Sequence, residues 1–173
     1  MAYFLFKCWH EVLYFANRQD IVPVNSTVDI EFLPITAENA HFVKELRGEI
    51  YEGQFLDQIK MGDVGLYATV LGKPVGYGWV KRCGSDDYFF KIGQGAGYYC
   101  RFFVHPDMRG KRIYPALLTE LISRTPDVKR LYIARERGND ASERGLMKLG
   151  FARVGEFGFV RGFKHTFNKK KLK

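Results

Sequence analysis

Residues 104–118, VHPDMRGKRIYPALL, constrain the fold of this 173-residue chain more than any other stretch. An apolar, strand-like run (98–104) leads into it, and a helix-like run leaves it. Between them stands a basic turn, Arg109-Gly110-Lys111-Arg112. A strand, a turn and a helix N-terminus in that order build a bowl of backbone N–H groups that favours an anion, most often a phosphate. The side chains of Arg109, Lys111 and Arg112 would add positive charge around it. Taken by itself, the segment reads equally as a basic β-turn ahead of an ordinary helix.

Farther along comes a second block, Asn139-Asp140-Ala141-Ser142-Glu143-Arg144-Gly145-Leu146-Met147-Lys148-Leu149-Gly150-Phe151. Together the two blocks resemble the GNAT superfamily of acyl-CoA N-acyltransferases. Its signature runs V-x-P-x-x-(R/Q)-x-x-G-x-(G/A), a helix, a strand, then N-x-x-(A/S)-x-x-x-Y-x-x-x-G-F. Val104, Pro106, Arg109, Asn139, Ser142, Gly150 and Phe151 fall in register. The order of elements over residues 28–167 is similar too. Three positions depart from the pattern. Arg112 and Tyr114 replace the later glycines of the turn, and Leu146 stands where many members carry a catalytic tyrosine.

The resemblance implies an α/β (α+β) fold with a mixed, mostly antiparallel central sheet flanked by helices. It implies acetyl-CoA as acyl donor. The amides of Gly110, Lys111, Arg112, Ile113 and Tyr114 would face the pyrophosphate, with Arg109 beside them. The helix dipole, about half an elementary charge, adds attraction. Phe103 and Val104 would pair through their backbones with the cofactor arm, in a splay opened toward the strand-like run 131–134. Asn139 and Ser142 would reach the same arm, although Asn139 also reads as a loop asparagine before a helix. Arg112 is accommodated if its backbone stays right-handed; at positive φ it costs ~1 kcal/mol or more that glycine would not. Tyr114 leaves two options: a pyrophosphate held farther out, or a ring turned into the core.

Acyl transfer needs a neutral amine, a polarised carbonyl and a proton for the departing thiolate. The Val104 amide is the candidate for the carbonyl. Leu146 has no proton to give, so Ser142, Tyr132 or water would supply one. Tyr98 stands where many members carry a glutamate that deprotonates the amine, and a tyrosine of pKa ~10 is a weak base at neutral pH. Glu49, Glu52 and Asp57 are alternative bases, though carboxylates of this kind usually serve as solvated surface charge. Positioning alone supplies ~7–11 kcal/mol in such reactions. The expected acceptor is a primary amine of a small molecule: an amino sugar, an amino acid or a polyamine. The net charge of +8 leans toward an anionic one. A protein or peptide acceptor, and an acyl-CoA-binding module without catalysis, are the alternatives.

Length indicates one domain. The expected divisions are an N-terminal extension and linker (1–26), the acetyltransferase domain (27–168) and a basic tail (169–173). Cys8, Cys83 and Cys100 are too scattered for a disulfide framework or zinc site, and the four histidines show no ligand spacing. No zinc-finger spacing, aromatic nucleic-acid motif or continuous basic helix marks a dedicated nucleic-acid site. The expected location is cytoplasmic. The first residues are strongly apolar, but Lys7, His10 and Glu11 interrupt them. Cys8, Val12 and Phe15 recur at helical spacing, so a helix packed on the domain or on a second copy is expected, with membrane contact the lesser reading.

Strand-like runs lie at 28–33, 64–71, 75–80, 98–104, 131–134 and 151–167. Two short helical pieces are expected over 46–60, broken near Gly48 and Gly53. Pro115 suits the first residue of the next helix. Asp140 and Glu143 form a capping-box pattern, and Gly150 suits the C-terminal cap.

Overall fold

The computed structural model describes residues 9–82, 93–160 and 163–167. Eight strands form one sheet: β1 (Trp9–Asn17), β2 (Glu31–Pro34), β3 (Val64–Val70), β4 (Lys73–Lys81), β5 (Ala96–Val104), β6 (Arg130–Glu136), β7 (Ala152–Val160) and β8 (Phe163–Phe167). Their order is β2-β3-β4-β5-β6-β1-β7-β8. Only β5 and β6 run parallel; the other neighbours are antiparallel. The helices are α1 (Val43–Arg47), α2 (Ile50–Lys60), α3 (Ile113–Ser123) and α4 (Asp140–Lys148). This is the expected mixed, mostly antiparallel sheet with flanking helices. No described helix is long and apolar enough to cross a membrane.

The main correction lies at the N-terminal end. Residues 9–17, expected as part of a helix, form β1, which pairs with β6 on one side and β7 on the other. Val12, Tyr14 and Ala16 enter the core on one face, while Leu13 is also buried and Phe15 meets the Tyr132 ring at 5.1 Å. A strand covered on both faces reads as a continuous apolar run, and periodicity cannot separate that from a buried helix. Residues 18–26, expected as linker, are pinned to the domain as well. The Arg18 guanidinium donates to the carbonyls of Ile122, Thr125 and Val128, which closes the C-terminal end of α3. Val22 N–H donates to the Leu149 carbonyl, and Val24 N–H to the Thr119 hydroxyl. Residues 1–8, with Cys8, lie outside the described ones.

The sheet separates two apolar layers. One face carries α3 and α4, with Ile113, Leu117, Leu121, Leu146 and Leu149 packed on Leu66, Val80, Tyr99 and Ile133. The other carries α1 and α2, with Val43 and Phe55 packed on Tyr67, Tyr77, Trp79 and Tyr98. Phe55 meets the Tyr77 and Trp79 rings edge-on, at 4.9 and 5.0 Å. Burying each such side chain stabilises by ~1.5–3 kcal/mol.

Helix boundaries moved slightly from expectation. The break between α1 and α2 falls at Gly48, whose φ of +95° closes α1 in the left-handed region. Pro115 is the third residue of α3 rather than the first, still within the turn whose N–H groups lack helical partners. The N-cap of α4 is Asn139, not Asp140: its side-chain oxygen accepts the Ser142 N–H at 3.2 Å. Glu143 is therefore released from capping and turns elsewhere.

Candidate functional site

The site begins at a strand irregularity. β5 pairs with β6 only from Ala96↔Arg130 to Tyr99↔Ile133, and beyond that both strands continue without pairing to each other. The divergence coincides with a bulge, where the β4–β5 register shifts between Tyr77 and Trp79. Arg101, at φ +54°, supplies the extra residue. The bulge rephases the strand. Cys100 belongs to the α1/α2 face, yet Phe102 packs on the α3/α4 face and Phe103 returns to the first.

The rephasing decides which backbone groups face the gap. His105 N–H donates to the Val75 carbonyl at 2.8 Å, while Val104 sits opposite Gly76. Along an antiparallel ladder the bonded and non-bonded pairs alternate. The Val104 N–H and C=O therefore turn away from β4 and into the splay. Phe103 turns the other way; its carbonyl oxygen lies 2.7 Å from where a Cβ on Gly76 would be. Of the two residues expected to offer backbone groups to an extended arm, Val104 is the one placed for it.

A cleft of about 1010 Å³ lies at this splay, between the α3 and α4 N-termini. Phe103, Val104, Arg109, Gly110, Arg112, Ile113, Tyr114, Asn139 and Ser142 line it. These are nine of the expected site residues in one place. Lys111 is the exception among the turn residues. Its side chain turns to the Met108 sulfur, and its carbonyl accepts the Thr27 N–H and the Ser26 and Thr27 hydroxyls. Arg112 does take the left-handed conformation, at φ +56°.

Tyr114 resolves its two options by turning inward. Its ring meets Phe102 edge-on at 5.2 Å, and its hydroxyl lies 3.3 Å from Ser142 Oγ. The space comes from Gly145, where a Cβ would stand 3.4 Å from two ring atoms of Tyr114. The large residue on α3 and the absent one on α4 are thus complementary. Burial pushes the Tyr114 phenol well above its ordinary pKa, so it stays neutral and accepts the Ser142 hydroxyl.

Further lining residues escaped the sequence reading. Arg137, Arg144 and Lys148 join Arg109 and Arg112, while Glu136 is the carboxylate among the lining residues. Arg144 and Lys148 are spaced i and i+4 on α4, a signal available in the sequence once that helix is oriented. Beneath the same helix, Tyr14 donates to Glu143 Oε1 at 2.5 Å and Arg135 donates to Glu143 Oε2 and to the Tyr14 hydroxyl. The Tyr14 hydrogen bond, with Arg135 beside it, holds the Glu143 carboxyl below the usual carboxylate range.

Several expected catalytic groups stand elsewhere. Tyr98 is buried in the α1/α2 face at 5% exposure and lines neither this cleft nor the smaller cavity next to it. Its Cβ precedes the bulge, so the strand's alternation points it into the core. Glu52 is tied to the Lys44 ammonium at 2.7 Å, with Glu49 at 3.1 Å on the same ammonium. Asp57 faces Lys60 on the surface. Leu146 is wholly buried among core residues of α3, β1 and β6 and does not reach the cleft. Tyr132 packs on Phe15, away from it. Among the described residues no group of three or more His, Cys, Asp or Glu is placed to hold a metal.

The second cavity, of about 190 Å³, is lined by Arg47, Tyr51, Gln54, Phe55, Tyr77, Arg101 and Phe102. It shares Phe102 with the larger cleft. The two lie on either side of the bulge.

Comparisons with known proteins bear on this arrangement. The family model for the Acetyltransferase (GNAT) family matches residues 32–151. An acetyltransferase of the GNAT family from Colwellia psychrerythraea is 15% identical with a TM-score of 0.63, over 86% of this chain and 53% of its own. A GCN5-related N-acetyltransferase from Sphaerobacter thermophilus is 14% identical with a TM-score of 0.65, over 87% and 50%. A ribosomal-protein-alanine N-acetyltransferase from Brucella melitensis biovar Abortus 2308 is 18% identical with a TM-score of 0.55, over 72% and 92%. At such identities the likeness is one of fold. The chain spans 60% and 53% of the length of the first two structures it matches. No curated protein sequence matches it.

Proposed function

Because the chain belongs to the GNAT acetyltransferase family, we propose that it is an acyl-CoA-dependent N-acyltransferase that moves an acetyl group to the primary amine of a small molecule. The observation that carries this reading is the splay beyond Tyr99 and Ile133, with the Val104 backbone turned into it and a basic helix N-terminus at its end. An acyl-CoA has the matching parts: an amide-bearing arm and a pyrophosphate. The amides from Gly110 to Tyr114 would take the pyrophosphate, and Arg109, Arg112, Arg144 and Lys148 would surround the phosphates. Asn139, fixed by its cap to Ser142, would stand at the arm.

The chemistry follows from what lines the cleft. The Val104 N–H would polarise the acyl carbonyl as charge develops on its oxygen. The Ser142 hydroxyl, which donates to the neutral Tyr114 phenol, would turn toward the departing thiolate and relay to it a proton taken up from water, the task Leu146 cannot perform. Among the described residues no carboxylate lines the smaller cavity. The acceptor amine would therefore arrive unprotonated or lose its proton to water. Lys111 would act through its backbone amide rather than its ammonium. Residues 9–26 would belong to the catalytic domain itself.

Release of free thiol from acetyl-CoA, followed over a panel of primary amines, tests the reading. Turnover that saturates in one amine and is inhibited by coenzyme A is expected. Tight acetyl-CoA binding with no turnover on any amine, peptide N-termini included, would favour a binding module. Turnover confined to peptides would favour a protein acceptor.

A further inference from the structure

The smaller cavity has a chemistry of its own. Arg47, from the last turn of α1, lies 4.5 Å from the Tyr51 ring centroid and 4.8 Å from that of Phe103. Arg101 reaches the same cavity from the bulge and donates to Gln54 Oε1 at 3.0 Å. Two guanidinium groups of like charge therefore border one small space. Among the described residues neither is paired with a carboxylate, and the lining contains no acid. Like charges held together without a counter-ion favour an anion between them.

Two further observations point inward to the same space. Arg101 holds a left-handed backbone that disfavours most residues with a Cβ, and strain of this kind collects at ligand sites. Tyr77, on the cavity wall, lies within the field of both arginines, each of which acts to lower a phenol pKa that burial raises. Arg47 stacks on two aromatic rings and donates through Nη2 to the Tyr51 hydroxyl, which leaves the other N–H groups of its planar guanidinium to donate. That planar fork matches a carboxylate or phosphate. The cavity of about 190 Å³ admits such a head group with a short carbon chain, and Phe102 forms a wall that it shares with the acyl cleft.

The geometry points to an acceptor that carries a carboxylate or phosphate a few bonds from its amine, with the anion seated between Arg47 and Arg101 and the amine directed past Phe102 toward Val104. This rests on the acyl-transfer reading only for the role of the amine. The anion seat stands on the arginines alone, so the two can fail separately.

Matched amines separate them. With coenzyme A present, calorimetry should show O-phosphoethanolamine binding at least about tenfold more tightly than ethanolamine, and β-alanine more tightly than propylamine. Arg47→Gln and Arg101→Asn should each bring the members of a pair close to parity. Asn suits the left-handed backbone at 101, and Arg47→Lys should keep part of the preference. Melting temperatures report on folding of each variant. Equal binding of the charged and neutral amines to the intact protein would overturn the proposal. So would folded Arg47→Gln and Arg101→Asn proteins that keep the full preference. Thiol release in the same samples reports on transfer. Anion preference without release would overturn acyl transfer and leave the anion seat standing; release without anion preference would do the reverse.

Discussion

If the proposed function holds, position 112 couples stability and cofactor binding in opposite directions. Arg112 is exposed, lines the larger cleft and sits at φ +56°, ψ +22°, immediately before α3. A residue with a Cβ held there is strained by ~1–2 kcal/mol relative to its right-handed conformation. Arg112→Ala keeps the Cβ and hence the strain, and removes the guanidinium. Arg112→Gly removes both, but its freer unfolded chain offsets ~0.4–1 kcal/mol of the relief. The glycine variant should therefore be more stable than the alanine variant by about 0.5–1 kcal/mol. For a chain of this length that is a Tm difference of about 1–4 °C in differential scanning calorimetry. Both variants lose the same charge. A charge-assisted hydrogen bond contributes ~1.5–3 kcal/mol, and solvent exposure selects the lower end. Acetyl-CoA titration should show about a tenfold loss of affinity, equal in the two. An alanine variant as stable as the glycine variant would refute the strain. Unchanged affinity in both would remove Arg112 from the phosphate site.

Four other outcomes follow from the geometry. Leu146→Tyr forces a ring and a hydroxyl into a closed core, so it should lower stability by ~1–3 kcal/mol in denaturant unfolding without speeding thiol release; faster release would show that position 146 reaches the cleft. Glu143→Gln should lower Tm near pH 7, because the folded-state carboxyl has a depressed pKa. That advantage is present above the unfolded carboxylate pKa and disappears as pH falls through the folded one, so wild-type and variant Tm values should converge in acid. Deleting residues 1–17 removes a strand bonded on both sides and exposes the edges of β6 and β7, so the product should aggregate by light scattering; a stable monomer would contradict the sheet order. With no carboxylate among the described residues of the smaller cavity, kcat/KM should rise with pH along the acceptor's own ammonium titration, and a plateau set by an enzyme group near neutrality would contradict it.

Much of the lining of the candidate cleft was legible because it is local. The turn at Arg109–Arg112, the α3 that follows and the Asn139-to-Phe151 block are contiguous, and their spacing carries their geometry. What the sequence hid depends on partners far along the chain. Tyr114 and Gly145 belong to different helices, and neither alone reveals that one fills the space the other leaves. The β1 strand lies between strands far from it in sequence, and its apolar run is covered on both faces, which erased the alternation that would have marked it. Tyr98 looked accessible by motif position, but strand alternation ahead of a bulge buries it. The bulge itself was invisible, since Arg101 is an ordinary residue in a conformation that ordinarily belongs to glycine. The Glu49 and Glu52 carboxylates were unassignable until Lys44 appeared between them.

A crystal structure with coenzyme A bound tests the central claim most directly. The account predicts the arm of the ligand between the diverging ends of β5 and β6, bonded to the Val104 backbone, with its pyrophosphate on the amides of Gly110 to Tyr114. Coenzyme A bound away from that splay, or lying there without contact to either Val104 or the α3 N-terminus, would contradict it.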